Sequence, residues 1–169
     1  MNVGYLIILL ILSVVGFCAI VIGYGWFYRV RRLVNLYLQN FSEIIGSKPL
    51  RKNRFLPFYS KYEIAGVYKG RQIIGGIQYS GLGIEFMPLP YLKLRLKEVI
   101  RYNIERLPEF AYIEKGWLVF KHKHRLVWGI FDKEYERLFT REFILITLAR
   151  LLAVAEDLER GKTIEEIFK

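Results

Sequence analysis

The chain has 169 residues, 53% of them hydrophobic, with 26 Lys or Arg against 16 Asp or Glu for a net charge of +10. That length holds one modest domain and one membrane segment, and the single cysteine, Cys18, excludes a disulfide framework. No Lys, Arg, Asp or Glu occurs in residues 1–28, so every charge falls on residues 29–169.

The run from Val3 to Tyr28 is predicted to be a transmembrane helix. Its 26 residues extend about 39 Å at roughly 1.5 Å each, against a hydrocarbon core about 30 Å thick. Tyr5 at one end, and Tyr24, Trp26, Phe27 and Tyr28 at the other, carry rings that favour the membrane interface, which leaves Leu6 to Gly23 as the strictly apolar stretch. Thirteen Leu, Ile, Val and Phe residues between Leu6 and Ile22 favour insertion by about 4–8 kcal/mol. Cys18, within this run, is read as a small buried hydrophobe. A cleaved signal would need a basic start and a small-residue cleavage site. Instead "MNVGY" has no basic side chain, and the exit is aromatic and then arginine-rich. Ser13, Gly16, Ala19 and Gly23 form a face of small residues suited to helix–helix contact, with another membrane subunit or with a second copy. Arg29, Arg31 and Arg32 set the orientation. By the positive-inside rule the N-terminus lies outside and the remainder in the cytoplasm, at the plasma (inner) membrane.

Helical spacing continues past the membrane through Leu33, Leu36, Tyr37, Phe41, Ile44 and Ile45. Gly46 is a plausible C-terminal cap, and Ser47 with Pro49 prevents continuation. One helix from Val3 to Ile45 is expected, its amphipathic second half packing on the domain or lying along the membrane. "SKPLRKNRFLPF", residues 47–58, is then a basic loop in which Lys48, Arg51, Lys52 and Arg54 are candidate contacts for anionic lipid headgroups. The same residues, interleaved with aromatics, raise nucleic acid as a lesser alternative.

After the loop the period becomes two. "YEIAGVY" and "RQIIGGIQY" flank Lys69-Gly70 as a hairpin, "GIEFM" reads as a short strand, and "YLKLRLK" alternates Leu92, Leu94 and Leu96 with basic residues. Residues 98–107 are expected to be helical. "FAYIE", Lys115-Gly116 and "WLVFKHK" give a second hairpin, and "RLVWGI" a last strand. From Asp132 the spacing is helical again, with Thr140 a candidate N-cap for a long helix over Phe143 to Leu158 that ends at Gly161. Thr163 and Glu166 can cap a last short turn.

The hairpin "GVYKGR", Gly66 to Arg71, resembles the G-x-Y-x-G-R hairpin of uncharacterised membrane-anchored bacterial proteins, whose closing helix resembles "LARLLAVAEDLE". The resemblance covers about residues 62–160. It implies this fold and carries no activity with it.

Signs of chemistry are few. His122 and His124 lie amid Lys121, Lys123 and Arg125, an environment that opposes a metal. The glycines of "GGIQYSGLG" do not follow the dinucleotide spacing, and no P-loop, G-x-S-x-G or H-E-x-x-H occurs. The expectation is an α+β chain: residues 1–28 a transmembrane helix, 29–46 a cytoplasmic helical extension, 47–61 a basic loop, and 62–169 a small antiparallel-sheet domain backed by a long C-terminal helix. A non-catalytic accessory or scaffolding subunit of a bacterial membrane assembly is the expected function, with no cofactor. An anionic-lipid sensor and a membrane-tethered nucleic-acid binder are the alternatives.

Overall fold

A computed structural model describes residues 3–51, 62–80, 87–97, 111–121, 133–162 and 164–167. Helix α1, Val3–Ile45, runs unbroken through 43 residues, about 65 Å at 1.5 Å per residue. Its two halves have opposite surroundings. From Gly4 to Gly25 every side chain is exposed, Cys18 included, so this cysteine is not the buried residue its apolar neighbours suggest. From Val30 onward Leu33, Val34, Tyr37, Leu38 and Phe41 are buried in turn, the spacing of one helix face set into a core. The amphipathic half therefore packs on the domain. Gly46 closes the helix at φ +71°, its N–H donating to the Ser42 carbonyl at 2.8 Å.

The sheet is antiparallel and six-stranded, in the order β1-β2-β3-β4-β6-β5. Its strands are β1 (Leu50–Arg51), β2 (Tyr62–Tyr68), β3 (Arg71–Ser80), β4 (Met87–Arg95), β5 (Ala111–Glu114) and β6 (Trp117–Lys121). The β2–β3 and β5–β6 hairpins turn at Lys69-Gly70 and Lys115-Gly116, and all four turn residues take positive φ. That geometry matches the right-handed twist of the flanking strands.

Strand β4 departs from expectation. "YLKLRLK" was expected to open a strand at Tyr91, yet the strand begins at Met87 and carries Pro88 and Pro90; residues 83–86 of "GIEFM" lie outside the described residues. Proline cannot donate to a ladder. The pairing shows why two are tolerated: β3 lies along the whole of β4 from Met87 to Leu94, whereas β6 pairs only with Tyr91 to Arg95. Pro88 and Pro90 thus sit where the strand has no ladder on its second side among the described residues. The predicted helix over 98–107 and the predicted strand "RLVWGI" fall outside the described residues.

Register carries apolar residues across one face of the sheet. Ile73 lies opposite Leu94 in one row, and Leu92 opposite Phe120 and Phe120 opposite Ala111 in the next. All of these are buried, together with Ile64, Ile77 and Leu118. Two helices cover this face: α1 lies against β2, β3 and β4, and α3 (Arg141–Glu159) against β4 and β6. The result is a two-layer α+β domain whose second layer includes the rear half of the N-terminal helix. Phe41 fits because Gly75 has no side chain; a Cβ there would lie 2.5 Å from the ring. Tyr37 stacks on Phe41 with centroids 5.8 Å apart and meets Phe139 edge-on at 6.4 Å. Thr140 caps α3, its Oγ1 accepting from the Phe143 N–H, as its position predicts. The short helices α2 (Lys133–Arg137) and α4 (Ile164–Ile167) flank α3.

Candidate functional site

One helix, α1, is long and apolar enough to cross a membrane, with a mean hydropathy of 3.1 over its best window and none of that window buried. The exposed large side chains of this half are uniformly apolar, from Tyr5 through Ile22. Ser13 turns its hydroxyl back onto the Leu9 carbonyl at 2.8 Å, so the small-residue face offers Gly16, Ala19 and Gly23 as bare backbone and methyl. Nothing lies within 4 Å of a Cβ built at Gly16 or Gly23.

The aromatic residues and arginines expected at the membrane exit divide into two groups. Tyr24 and Tyr28 are exposed, whereas Trp26 is partly buried against the domain core. Arg29 donates to a Glu136 carboxylate oxygen at 3.3 Å and Arg32 approaches the other at 3.6 Å, so both are tied to α2. Arg31 points to solvent. Sequence reasoning missed Glu136, which lies 107 positions beyond Arg29 with no local pattern marking it. A third tie, Arg141 to Glu43 at 3.8 Å, joins the start of α3 to the end of α1.

Along this exit runs a groove of about 450 Å³, whose lining includes Tyr24, Tyr28, Arg31, Arg32, Asn35 and Gln39. These positions fall on one face of α1. Asn35 and Gln39 had no sequence signal of their own and became visible only as extensions of that face.

Elsewhere the polar groups act as fasteners. The Arg71 guanidinium makes two hydrogen bonds of 2.6 Å to the two carboxylate oxygens of Glu159, one of which also accepts from the Lys97 N–H at 2.7 Å. The hydrogen bonds from Arg71 and Lys97 hold the Glu159 carboxyl below its usual range. On the face of the sheet away from the helices, the Tyr91 hydroxyl donates to Glu63 at 2.7 Å, and Lys93 pairs with Glu114 at 3.5 Å. Burial first, and then Glu63, push the Tyr91 phenol well above its usual value, which keeps it a proton donor and not a base.

Of the loop residues proposed for lipid headgroups, Lys48 is exposed and Arg51 lies in the two-residue edge strand β1. Lys52, Arg54, His122 and His124 fall outside the described residues. Among the described residues no group of three or more His, Cys, Asp or Glu side chains is placed to hold a metal ion. No protein family, curated protein or solved structure matches the chain. The functional reading therefore rests on the geometry alone.

Proposed function

We propose that this chain is a non-catalytic, single-pass protein of a bacterial plasma membrane, with its N-terminus outside and its domain in the cytoplasm, and that it serves as an accessory or scaffolding subunit of a larger membrane assembly. The observation that carries the proposal is the continuity of α1. The same helix presents an uncharged, wholly exposed surface from Gly4 to Gly25 and then becomes a wall of the core from Val30 to Phe41. An apolar surface of that length, open on all sides, calls for lipid or for other helices. Continuity also favours retention over signal cleavage, because the helix is already packed on the domain at Trp26 and Val30. The cluster of Arg29, Arg31 and Arg32 at the exit supports the orientation.

The subunit role is tested by mild-detergent extraction of the full chain, size-exclusion chromatography and mass spectrometry of the peak. A stoichiometric co-purifying membrane protein supports it. A monomer that carries no other protein removes it and leaves only an anchored domain.

A further inference from the structure

We infer that the groove along the exit of α1 is a binding site for an anionic phospholipid, with the headgroup phosphate on Arg31. This inference rests on the membrane reading above and adds a ligand to it.

The lining of the groove changes character along the helix axis. Tyr24, Phe27 and Tyr28 come first, then Arg31 and Arg32, then Asn35 and Gln39 with Leu36 between them. From Tyr24 to Gln39 the axial rise is about 22 Å. The sequence of groups along that rise is aromatic ring, then cation, then the neutral amides of Asn35 and Gln39 on either side of Leu36. A phospholipid standing beside the helix presents its groups in the same order: acyl chain and glycerol, phosphate, then the polar head. Rings of Tyr and Phe pack on methylene chains at the depth where the hydrocarbon ends. A guanidinium matches a phosphate with two parallel donors. The volume, about 450 Å³, falls within the roughly 300–1,000 Å³ of ordinary ligand pockets.

Charge selects Arg31 among the three arginines. Arg29 and Arg32 share the Glu136 carboxylate at 3.3 and 3.6 Å. Arg31 is exposed and has no ion pair among the described residues. Among the described ion pairs the Glu136 carboxylate meets Arg29 and Arg32 and none meets Arg31, which leaves the Arg31 face of the helix positive and favours an anion over a zwitterion. The fixed bracing of Arg29 and Arg32 to α2 keeps the exit rigid, so that a lipid meets a surface already in place.

The test uses the full-length chain, reconstituted in vesicles of equal phosphatidylglycerol and phosphatidylcholine, with bound lipid read by native mass spectrometry after gentle release. The unsubstituted protein is expected to retain phosphatidylglycerol over phosphatidylcholine by about fivefold or more, the factor one basic side chain contributes at an anionic leaflet. Arg31→Gln is expected to bring the ratio to near parity, and Tyr28→Ala to reduce total retained lipid. Both side chains are exposed, so an unchanged melting temperature in each variant separates lost binding from lost folding. A fourfold variant of the loop, K48Q, R51Q, K52Q and R54Q, is expected to leave the ratio unchanged. Parity in the unsubstituted protein, a ratio insensitive to Arg31→Gln, or a ratio lost only in the loop variant overturns the site. A polypeptide that co-purifies in the groove in place of lipid also overturns it. Extraction of the chain by alkaline carbonate would remove the membrane reading and the site together, whereas carbonate resistance with lipid parity removes the site alone.

Discussion

Arg71, the first residue of β3, and Glu159, the last of α3, grip each other through two 2.6 Å hydrogen bonds across 88 positions of sequence. The Arg71 side chain is 5% exposed and that of Glu159 14%. A pair so placed is worth little against an apolar substitute but costly to break from one side. Glu159→Gln strands the Arg71 charge and is expected to destabilise the domain by about 3 kcal/mol. The pH dependence follows from the lowered native value of Glu159. A depressed carboxyl contributes its full stability above the unfolded value of about 4.5, and loses it as pH falls through the native value. Thermal melts of the full chain in detergent should therefore show a steeper loss below pH 4.5 in the unsubstituted protein than in Glu159→Gln. Parallel curves would refute this.

Phe41 and Gly75 give a second prediction. A methyl at Gly75 meets the Phe41 ring at 2.5 Å, and overpacking of this kind costs about 1–3 kcal/mol. Gly75→Ala is expected to fall in that range. Phe41→Ala is expected to cost about 3–5 kcal/mol through the cavity it leaves. Because the two groups occupy one volume, Gly75→Ala should cost less in a Phe41→Leu background. A double-mutant cycle by chemical denaturation reads that coupling, and strict additivity would show that the ring moves aside.

The buried phenols predict the alkaline limit. The Tyr135 hydroxyl donates to the Pro88 carbonyl, and burial first, then Tyr79, raises its ionisation; Tyr91 is raised by burial and by Glu63. A phenol raised in the fold keeps its proton longer than in the unfolded chain. Its stabilisation is full below the unfolded value of about 10 and declines above it. Absorbance titration at high pH should show these two tyrosines ionising together with unfolding and apart from the exposed ones. Tyr135→Phe should cost about 1–2 kcal/mol at neutral pH and flatten the alkaline loss.

The proposed orienting role of Arg29, Arg31 and Arg32 is separable from the ion pairs that Arg29 and Arg32 make with Glu136. Replacing Arg29, Arg31 and Arg32 with Glu is expected to weaken or invert the orientation, as read by a reporter fused at the C-terminus. An unchanged cytoplasmic signal would exclude that role. Glu136→Arg puts like charge beside Arg29 and Arg32, and should cost about 1 kcal/mol at this partly buried site while leaving orientation alone.

These relationships differ in how far the sequence displays them. The bounds of α1 are legible because a charge-free run, a helical period and Gly46 mark them independently. Both described hairpins are legible from Lys69-Gly70 and Lys115-Gly116, which interrupt alternating strands. The start of β4 at Met87 is not legible, since tolerance of Pro88 and Pro90 depends on where β6 stops, a property of a neighbour. The insertion of β6 between β4 and β5 is likewise non-local. "GVYKGR" and "LARLLAVAEDLE" each stood out as strings, but the Arg71–Glu159 bond that joins them is a fact of distance in space. The groove was half visible: its aromatic and arginine members were marked by type, while Asn35 and Gln39 needed the helix face to be drawn.

A helix that is apolar enough to span a membrane and also forms a wall of the core constrains how the protein is made. The chain emerges from the ribosome in order, so α1 is complete before any strand of the sheet exists. On the membrane reading its front half is claimed by the bilayer at once, while Leu33, Tyr37 and Phe41 wait uncovered for β2, β3 and β4. The domain then assembles on a template already anchored, and its place of folding is the membrane surface. A fragment starting at Ser47 lacks that template, and should emerge from synthesis with Ile64, Ile73 and Leu92 exposed and aggregate.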